Sequence, residues 1–422
     1  MELNSRIPGF YSLSIEERKK LIAELCNLST EDVKHLETGV ATEILDMMSE
    51  NVIGTVPLPF GIATNFKVNN KDYLIPMAVE ESSVIAAASH AAKIARKKGG
   101  FQAKYTGSIS IGQLQILGVE DPDYAEKALI DAKEELLKKA NATNEILVKL
   151  GGGAKDITLR KVKGDVETYL VLHLIVDTKD AMGANAINTM LETIAPHVEE
   201  ITKGRVLLRI LSNYAIERKV LVTAIFDKEA LGGEKIVDDI IRAYDLAKND
   251  VYRAVTHNKG IMNGITSVML ATGNDTRAIE AAAHAFAARD GKYRSLSYFE
   301  KNEDGDLVGK LELPLAAGII GGAITINPIY KIALKILNVK TVKEFAEVVG
   351  AVGLAQNVAA LRALVSEGIQ KGHMRLHAQN IAATAGAKKE EIKIVTEKLV
   401  QSGNITYDRA VEILEEIRKK KS

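Results

Sequence analysis

The stretch that most restricts what this chain can fold into is 111–211. Ile111–Val119 reads as a strand, and Asp121-Pro122 opens a charged helix from Tyr124 to about Ala140. Its carboxylates come early and its lysines late, as the helix dipole favours. Gly151-Gly152-Gly153 breaks the chain, and Thr158–Val162 and Thr168–Val176 follow as paired strands. A second helix begins near Asp180, runs to about Glu200 with Pro196 in its last third, and is followed by the strand Val206–Leu211. Strand, helix, strand, strand, helix, strand is the order of a split βαβ, ferredoxin-like unit. Inserted in a longer chain, it predicts an α+β protein with a small domain set inside a larger mixed one.

The flanks read as that larger domain. Ser14-Ile15-Glu16-Glu17 is a capping box that opens a helix through Leu25, and Ser29 or Thr30 starts the next helix by the same logic. Glu50 to Gly61 is a turn-rich ordered loop, Tyr73–Val79 a strand, and alanine-rich Val84–Arg96 a closely packing helix. Gly99-Gly100 reads as the first domain boundary. After the strand Val220–Phe226 the pattern is mostly helical, including Ala278–Arg289. Leu307–Leu313 reads as a hairpin strand, Gly318–Gly322 as a turn, and Thr341–Val349 and Val358–Ile369 as two helices. A terminal pair, about Lys388–Gln401 and Thr406–Lys419, is short and charged.

Composition excludes several classes. A chain of 422 residues, 46% hydrophobic, supports more than one domain. Lys plus Arg and Asp plus Glu both total 55, so nothing advertises a nucleic-acid or acidic-membrane partner. The single cysteine, Cys26, rules out an intrachain disulfide framework and a multi-thiolate metal site, and fits a reducing cytosol. The N-terminal segment lacks an apolar signal core. The longest apolar run, Leu313 to Ile326, has about 14 residues where a bilayer span needs roughly 20. These features predict a soluble cytoplasmic protein.

Candidates for chemistry gather in a few places. Thr256–Arg277 holds Lys259 between Asn258 and Gly260, an apolar run Ile265–Leu270, and then Gly273-Asn274-Asp275. An apolar run places no polar atoms, so chemistry sits at its ends, where a lysine and an aspartate sharing a cleft shift each other's pKa. On spacing alone the plainer reading, a solvated lysine and an aspartate in a turn, outweighs it. Asp180-Ala181-Met182-Gly183-Ala184-Asn185 opens a helix whose small residues let phosphate oxygens reach free backbone N–H groups, although such a start more often serves packing than a cofactor. Its glycines do not follow GxGxxG, so a Rossmann site is unsupported. His373 and His377 stand at i and i+4, but Met374 occupies the place where HExxH needs glutamate, so no metal site is read. His373 suits a proton donor better than a zinc ligand, although an exposed helix-end histidine wins on spacing alone. Of Glu80-Glu81, at most one faces a given cleft, and a buried glutamate there would have a raised pKa and act as an acid, although on the residues alone that is the minority reading.

Taken in order, Glu50-Asn51-Val52-Ile53-Gly54, Glu80-Glu81-Ser82-Ser83, the 180–185 segment, His257-Asn258-Lys259-Gly260, Gly273-Asn274-Asp275 and Gly372-His373-Met374 resemble 3-hydroxy-3-methylglutaryl-CoA (HMG-CoA) reductase of class II. The resemblance runs from about Ser5 to the C-terminus. It implies reduction of HMG-CoA to mevalonate and CoA with NADPH or NADH, no metal, and a catalytic set of Glu81, Lys259, Asp275 and His373. Lys259 would stabilise the oxyanion, Asp275 would pair with Lys259, Glu81 would supply a proton in the second reduction, and His373 would protonate the departing thiolate. Asp180, Met182, Gly183 and Asn185 would line the cofactor site. Arg253, Asn263, Gln356 and Ser83 would lie at the HMG carboxylate or its neighbourhood, and Glu50, Asn51 and Gly54 near the CoA thioester arm.

By the same resemblance, residues 1–108 and 217–375 form the large domain, 109–216 the small cofactor domain and 376–422 a flap. A homodimer with its active site at the subunit interface is expected. Two positions depart from the family pattern: Ser82 stands where proline is usual, and Asn144 stands at the position where NADH-preferring relatives carry aspartate. Asparagine does not repel a 2′-phosphate, so NADPH is expected to be accepted. The same groups would also run the reaction oxidatively, for mevalonate catabolism. A non-catalytic thioester-binding homologue is the reading from another class, and the presence of all four catalytic side chains weighs against it.

Overall fold

The computed structural model describes residues 3–366 and 368–419, and of residues 369–376 and 389 the backbone alone. Helices α1 (Ile15–Cys26), α2 (Thr30–Thr38) and α3 (Thr42–Asp46) come first. Ser14 caps α1 and Ser29 caps α2, each in a complete capping box. Six strands then build one sheet: β1 (Phe60–Val68), β2 (Lys71–Ala78), β3 (Phe101–Tyr105), β8 (Lys219–Phe226), β9 (Ser297–Lys301) and β10 (Leu307–Pro314), in the order β2-β1-β3-β8-β10-β9. The helix α4 (Val84–Arg96) joins β2 to β3. Gly99-Gly100 is therefore not a boundary but the turn from α4 into β3, at φ +100 and +86. A Cβ on Gly100 would lie 2.3 Å from the Lys67 carbonyl oxygen, so only glycine lets β3 start beside β1. The chain leaves this sheet between β3 and β4.

The second sheet contains β4 (Ile109–Leu117), β5 (Gly153–Lys163), β6 (Thr168–Asp177) and β7 (Arg205–Ser212), in the order β5-β6-β4-β7 with every neighbouring pair antiparallel. That is the split βαβ order expected from the sequence. Its helices are α5 (Pro122–Asp131), α6 (Lys133–Ala142), α7 (Glu145–Lys149) and α8 (Ala184–Thr202). The helix expected over 124–140 is two, broken at Ala132. Ala125 and Leu129 of one piece and Leu136 and Ala140 of the other are all buried, so the break keeps one apolar face inward. The helix expected from Asp180 starts four residues later, because Lys179 and Gly183 both adopt left-handed conformations that turn the chain first.

After β8 come α9 (Lys228–Leu231), α10 (Glu234–Asn249), α11 (Val251–Ala271) and α12 (Thr276–Ala287), and after β10 come α13 (Ala323–Ile326), α14 (Pro328–Leu337) and α15 (Val342–Val365). The two helices read at 341–349 and 358–369 are the single helix α15. The glycines between them are close contacts: a Cβ on Gly350 would meet Val220 and Val222 methyls at 2.8 Å, and one on Gly353 would meet Ile265 at 2.8 Å. Gly264 of α11 likewise faces Gln356, so α15 is wedged between the first sheet and α11. Each fully buried large side chain on it, such as Phe345, Leu354 or Leu361, contributes about 1.5–3 kcal/mol of transfer free energy. Among the described residues α15 is also the one helix long and apolar enough to cross a membrane, and 67% of its most apolar window is buried in the protein, as in a core helix.

The first sheet and its helices share one apolar core, and the second sheet has its own around Leu114, Leu172 and Leu191. Helices α16 (Ile369–Thr384), α17 (Lys389–Ser402) and α18 (Tyr407–Lys419) form a third cluster among themselves around Ala382, Leu399 and Ile413.

Candidate active site

The triplet His257-Asn258-Lys259 on α11 shows how a helix aims one charge. Asn258 is fully buried, donates to the Arg294 carbonyl (2.8 Å) and accepts from the Leu296 N–H (3.0 Å). His257 Nε2 lies 2.7 Å from Ser297 Oγ, which itself donates to Asn357 Oδ1 at 2.7 Å. The serine proton being used there, Nε2 carries the histidine's hydrogen and donates. Burial, helped by the nearby Arg253 charge, pushes the His257 pKa down to about 3, so the ring is neutral. With those two side chains pinned inward, the next residue, roughly 100° on around the helix, points out. Lys259 is that residue, and its side chain is 58% exposed.

Lys259 meets Glu81, which stands in the turn between β2 and α4. Nζ lies 2.8 Å from Glu81 Oε2, and Asn263, one helical turn beyond Lys259, donates to the same oxygen at 3.3 Å. Residues 178 and 182 apart in sequence thus share one carboxylate oxygen. The minority reading of a buried Glu81 does not hold in the single chain, where its side chain is 40% exposed. An exposed pair of this kind contributes at most about 1 kcal/mol to stability, so folding does not require it. Ser83, at the start of α4, sits at φ +72, a left-handed conformation costing about 1–3 kcal/mol at a non-glycine residue.

Asp275 does not join this group. It caps α12, accepting from the Ala278 N–H at 3.0 Å, with Arg277 Nε at 3.6 Å. The preceding Asn274 N–H bonds to the Met269 carbonyl at 2.9 Å, so Asp275 lies level with Met269, ten residues or about 15 Å along α11 from Lys259. The expected Asp275–Lys259 pair is therefore absent within one chain, and the lysine's partner is Glu81. The C-terminal half of α11 separates them.

Asp275 instead lines a cavity of about 510 Å³ between the two sheets' territories. Asn144, Met182, Gly183 and Asn185 line it too, together with Asn274, Gly318, Ile320 and the stretch from Gly321 into α13. Gly183 caps α8 at φ +97, and no side chain caps that helix, so its first N–H groups stay available. Asn144 caps α7 through Oδ1, which accepts from the Leu147 N–H at 3.0 Å, leaving its NH₂ as the free end. Asp180, expected here, is not in the lining. Its carboxylate accepts from the Val342 N–H at 2.7 Å, at the start of α15. The wall from Gly318 onward, read only as a turn, is a cavity element: Asn274 Oδ1 accepts the Gly318 N–H at 2.8 Å, and a Cβ on Gly318 would lie 2.6 Å from the Met182 nitrogen. Its density of glycines was the available signal.

Of the other expected residues, Arg253 is half-buried on the first turn of α11, and burial lowers its pKa from the ordinary arginine value. Gln356 is buried on α15, and its Oε1 lacks a hydrogen-bond partner among the described residues. Glu50, Asn51 and Gly54 are exposed and do not line the cavity. His373 falls within α16, and its side chain lies outside the described ones.

Residues 14–378 match the family model of hydroxymethylglutaryl-coenzyme A reductase. The chain belongs to this family. It is 54% identical over 417 residues to 3-hydroxy-3-methylglutaryl-coenzyme A reductase of Archaeoglobus fulgidus, covering 99% of this chain and 95% of that one. It is 37% identical over 428 residues to a probable reductase of Borreliella burgdorferi, at 99% and 96% coverage. Among solved structures, the reductase of Streptococcus pneumoniae superposes with a TM-score of 0.83 at 40% identity, covering 97% of this chain and 99% of that one. Another structure, of the class II reductase from the same organism bound to NADPH in open conformations, gives 0.81 at 41% identity, with 96% and 100% coverage. HMG-CoA reductase function, a mixed α+β fold and the mevalonate pathway follow for this chain from its family.

Proposed function

We propose that the chain reduces HMG-CoA to mevalonate and CoA with NADPH, using Glu81, Lys259, Asp275 and His373 at a site shared by two subunits. The observation that carries this is the junction of Lys259, Glu81 and Asn263. A lysine ammonium held 2.8 Å from a carboxylate is at once a positive charge for a developing oxyanion and one end of a proton path. Asn263 fixes the carboxylate's second contact, so Glu81 presents its other oxygen to the substrate and passes a proton to the aldehyde oxygen.

The 510 Å³ cavity suits the cofactor. An uncapped helix N-terminus beside a left-handed glycine offers N–H groups to phosphate oxygens. The free NH₂ of Asn144 offers hydrogen bonds to a 2′-phosphate where a carboxylate would repel it, which favours NADPH over a strict NADH requirement. A reduced nicotinamide supplies two electrons in each of the two reductions. The residues that hold it in this reading are Asn144, Met182, Gly183 and Asn185.

In this reading Asp275 reaches Lys259 from a second subunit. Exposed apolar side chains support such a face: Ile53 and Val56 on the 50–59 loop, and Tyr252 and Val255 on α11, the last one helical turn before Lys259. The same association would carry Glu50, Asn51 and Gly54 to the thioester arm. Ser83, Arg253 and Gln356 are assigned to the HMG carboxylate and its surroundings, the unpartnered Gln356 Oε1 suiting a ligand hydroxyl. His373 is assigned the protonation of the thiolate, and it is brought in by the adjoining 376–422 flap, whose separate core suits a unit that closes and excludes water. A cytoplasmic location matches the cofactor supply.

The test is cofactor oxidation with HMG-CoA, counting oxidised cofactor against released thiol, for wild type and Lys259→Met. Two equivalents per thiol and a loss on the order of 10²–10³ in kcat are expected. Lys259→Met turnover within about threefold of wild type would defeat the proposed role.

A further inference from the structure

Arg218, in the segment that returns from the second sheet to the first, is completely buried. No carboxylate pairs with it among the described residues. Its donors are taken by neutral oxygens instead. Nε donates to Tyr105 Oη (2.9 Å), and Nη1 to Ser110 Oγ (3.2 Å), Thr178 Oγ1 (2.9 Å) and the Met182 carbonyl (3.0 Å). Nη2 donates to the carbonyls of Ala317 (2.7 Å) and Ala181 (3.5 Å). One planar fork thus ties together β3, β4, the turn before α8 and the segment before Gly318.

Two of these contacts set the cavity wall. A peptide's C=O and N–H point in opposite directions across its plane. Drawing the Met182 carbonyl onto Nη1 therefore turns the Gly183 N–H away from Arg218, and Gly183 lines the cavity. Drawing the Ala317 carbonyl onto Nη2 does the same for the Gly318 N–H, which meets Asn274 at 2.8 Å. The fit is tight: a Cβ on Gly183 would lie 2.2 Å from the Thr178 methyl, and Thr178 Oγ1 is itself an Arg218 acceptor. A buried guanidinium also leaves positive potential behind this wall, which favours a polyanionic ligand in front of it.

We propose that Arg218 is a positioning residue for the cofactor. It holds the Ala181–Gly183 backbone so that the Gly183 N–H receives the phosphates of the dinucleotide, and seats the Ala317–Gly318 backbone against Asn274 as the facing wall, without touching the HMG-CoA site. This rests on the cavity being the cofactor site. Lysine cannot replace it, since three donors on one atom cannot span acceptors on four segments.

The experiment titrates NADPH and, separately, HMG-CoA against the folded, substrate-free dimer for wild type, Arg218→Lys, Thr178→Val and Asn185→Leu, with thermal unfolding of each. Thr178→Val keeps the guanidinium and removes one acceptor, so it reads the proposal if Arg218→Lys does not fold. Losing hydrogen bonds to a charged group predicts NADPH binding weaker by about tenfold or more in Arg218→Lys, and by a smaller factor in Thr178→Val, with HMG-CoA binding unchanged. Equal weakening of both ligands, or no change in either, overturns the proposal. If Asn185→Leu alone weakens NADPH, the cavity reading stands and the Arg218 role falls. If none of the three weakens it, the cavity reading falls as well.

Discussion

Lys259 and Asp275 of one chain are too far apart to act on each other, which makes a complementation experiment decisive. Asn274 bonds to Met269, and Thr266 of α11 bonds to Glu280 of α12 at 2.7 Å, so α12 folds back along α11 with Asp275 at the distal end. Over the resulting 15 Å or so, two unit charges in water interact by about 0.3 kcal/mol, less than thermal energy and further screened by salt. The proposed catalytic pair then takes Asp275 from the other subunit of the proposed dimer, while Glu81 and Lys259, 2.8 Å apart, belong to the same chain. Lys259→Ala and Asp275→Ala chains, each inactive alone, are co-expressed under separate affinity tags. Random pairing makes about half the dimers mixed, and each mixed dimer has one site with both groups and one with neither, so about a quarter of wild-type activity returns. Glu81→Ala with Asp275→Ala behaves likewise, whereas Glu81→Ala with Lys259→Ala recovers nothing. Purified mixed dimers of the first pair with no activity above their parents would refute the reasoning.

Asn144→Asp should place a carboxylate where the amide NH₂ now faces the cavity and lower kcat/KM for NADPH by about tenfold, with NADH little changed; steady-state kinetics with both cofactors decides it. Gly350→Ala pushes a methyl into Val220 and Val222 and should cost about 1–3 kcal/mol by overpacking, read as a drop in Tm; an unchanged Tm would mean that α15 can slide away from the sheet. His257, neutral in the fold, takes a proton more readily when unfolded. Its folded pKa is depressed, so stability is complete above the ordinary value of about 6.5 and falls as pH drops from there toward 3. His257→Gln should flatten that part of the stability–pH curve, measured by denaturant unfolding across the range; an unchanged slope would remove His257 as its source.

The sequence by itself determined the local structure. Ser14 and Ser29 cap their helices, Val84–Arg96 is helical over the expected range, and the strand–helix order of the second sheet dictates its β5-β6-β4-β7 arrangement. These follow from short-range rules: a side chain reaching a nearby N–H, a period of 3.6 or 2, and the handed economy of split βαβ connections. Tertiary structure decided what glycine and distance mean. Gly350 and Gly353, in the gap between two expected helices, are close contacts in one packed helix, while Gly99-Gly100 looks like a linker and is a turn beside Lys67. Lys259 and Asp275, only 16 positions apart by number, are set apart by about the last three turns of α11, whereas Glu81, 178 positions away, touches the lysine. Asp180 left the cavity for the start of α15 for the same reason. Which acceptors a side chain finds depends on the segments that packing brings to it, and no spacing along the chain encodes that.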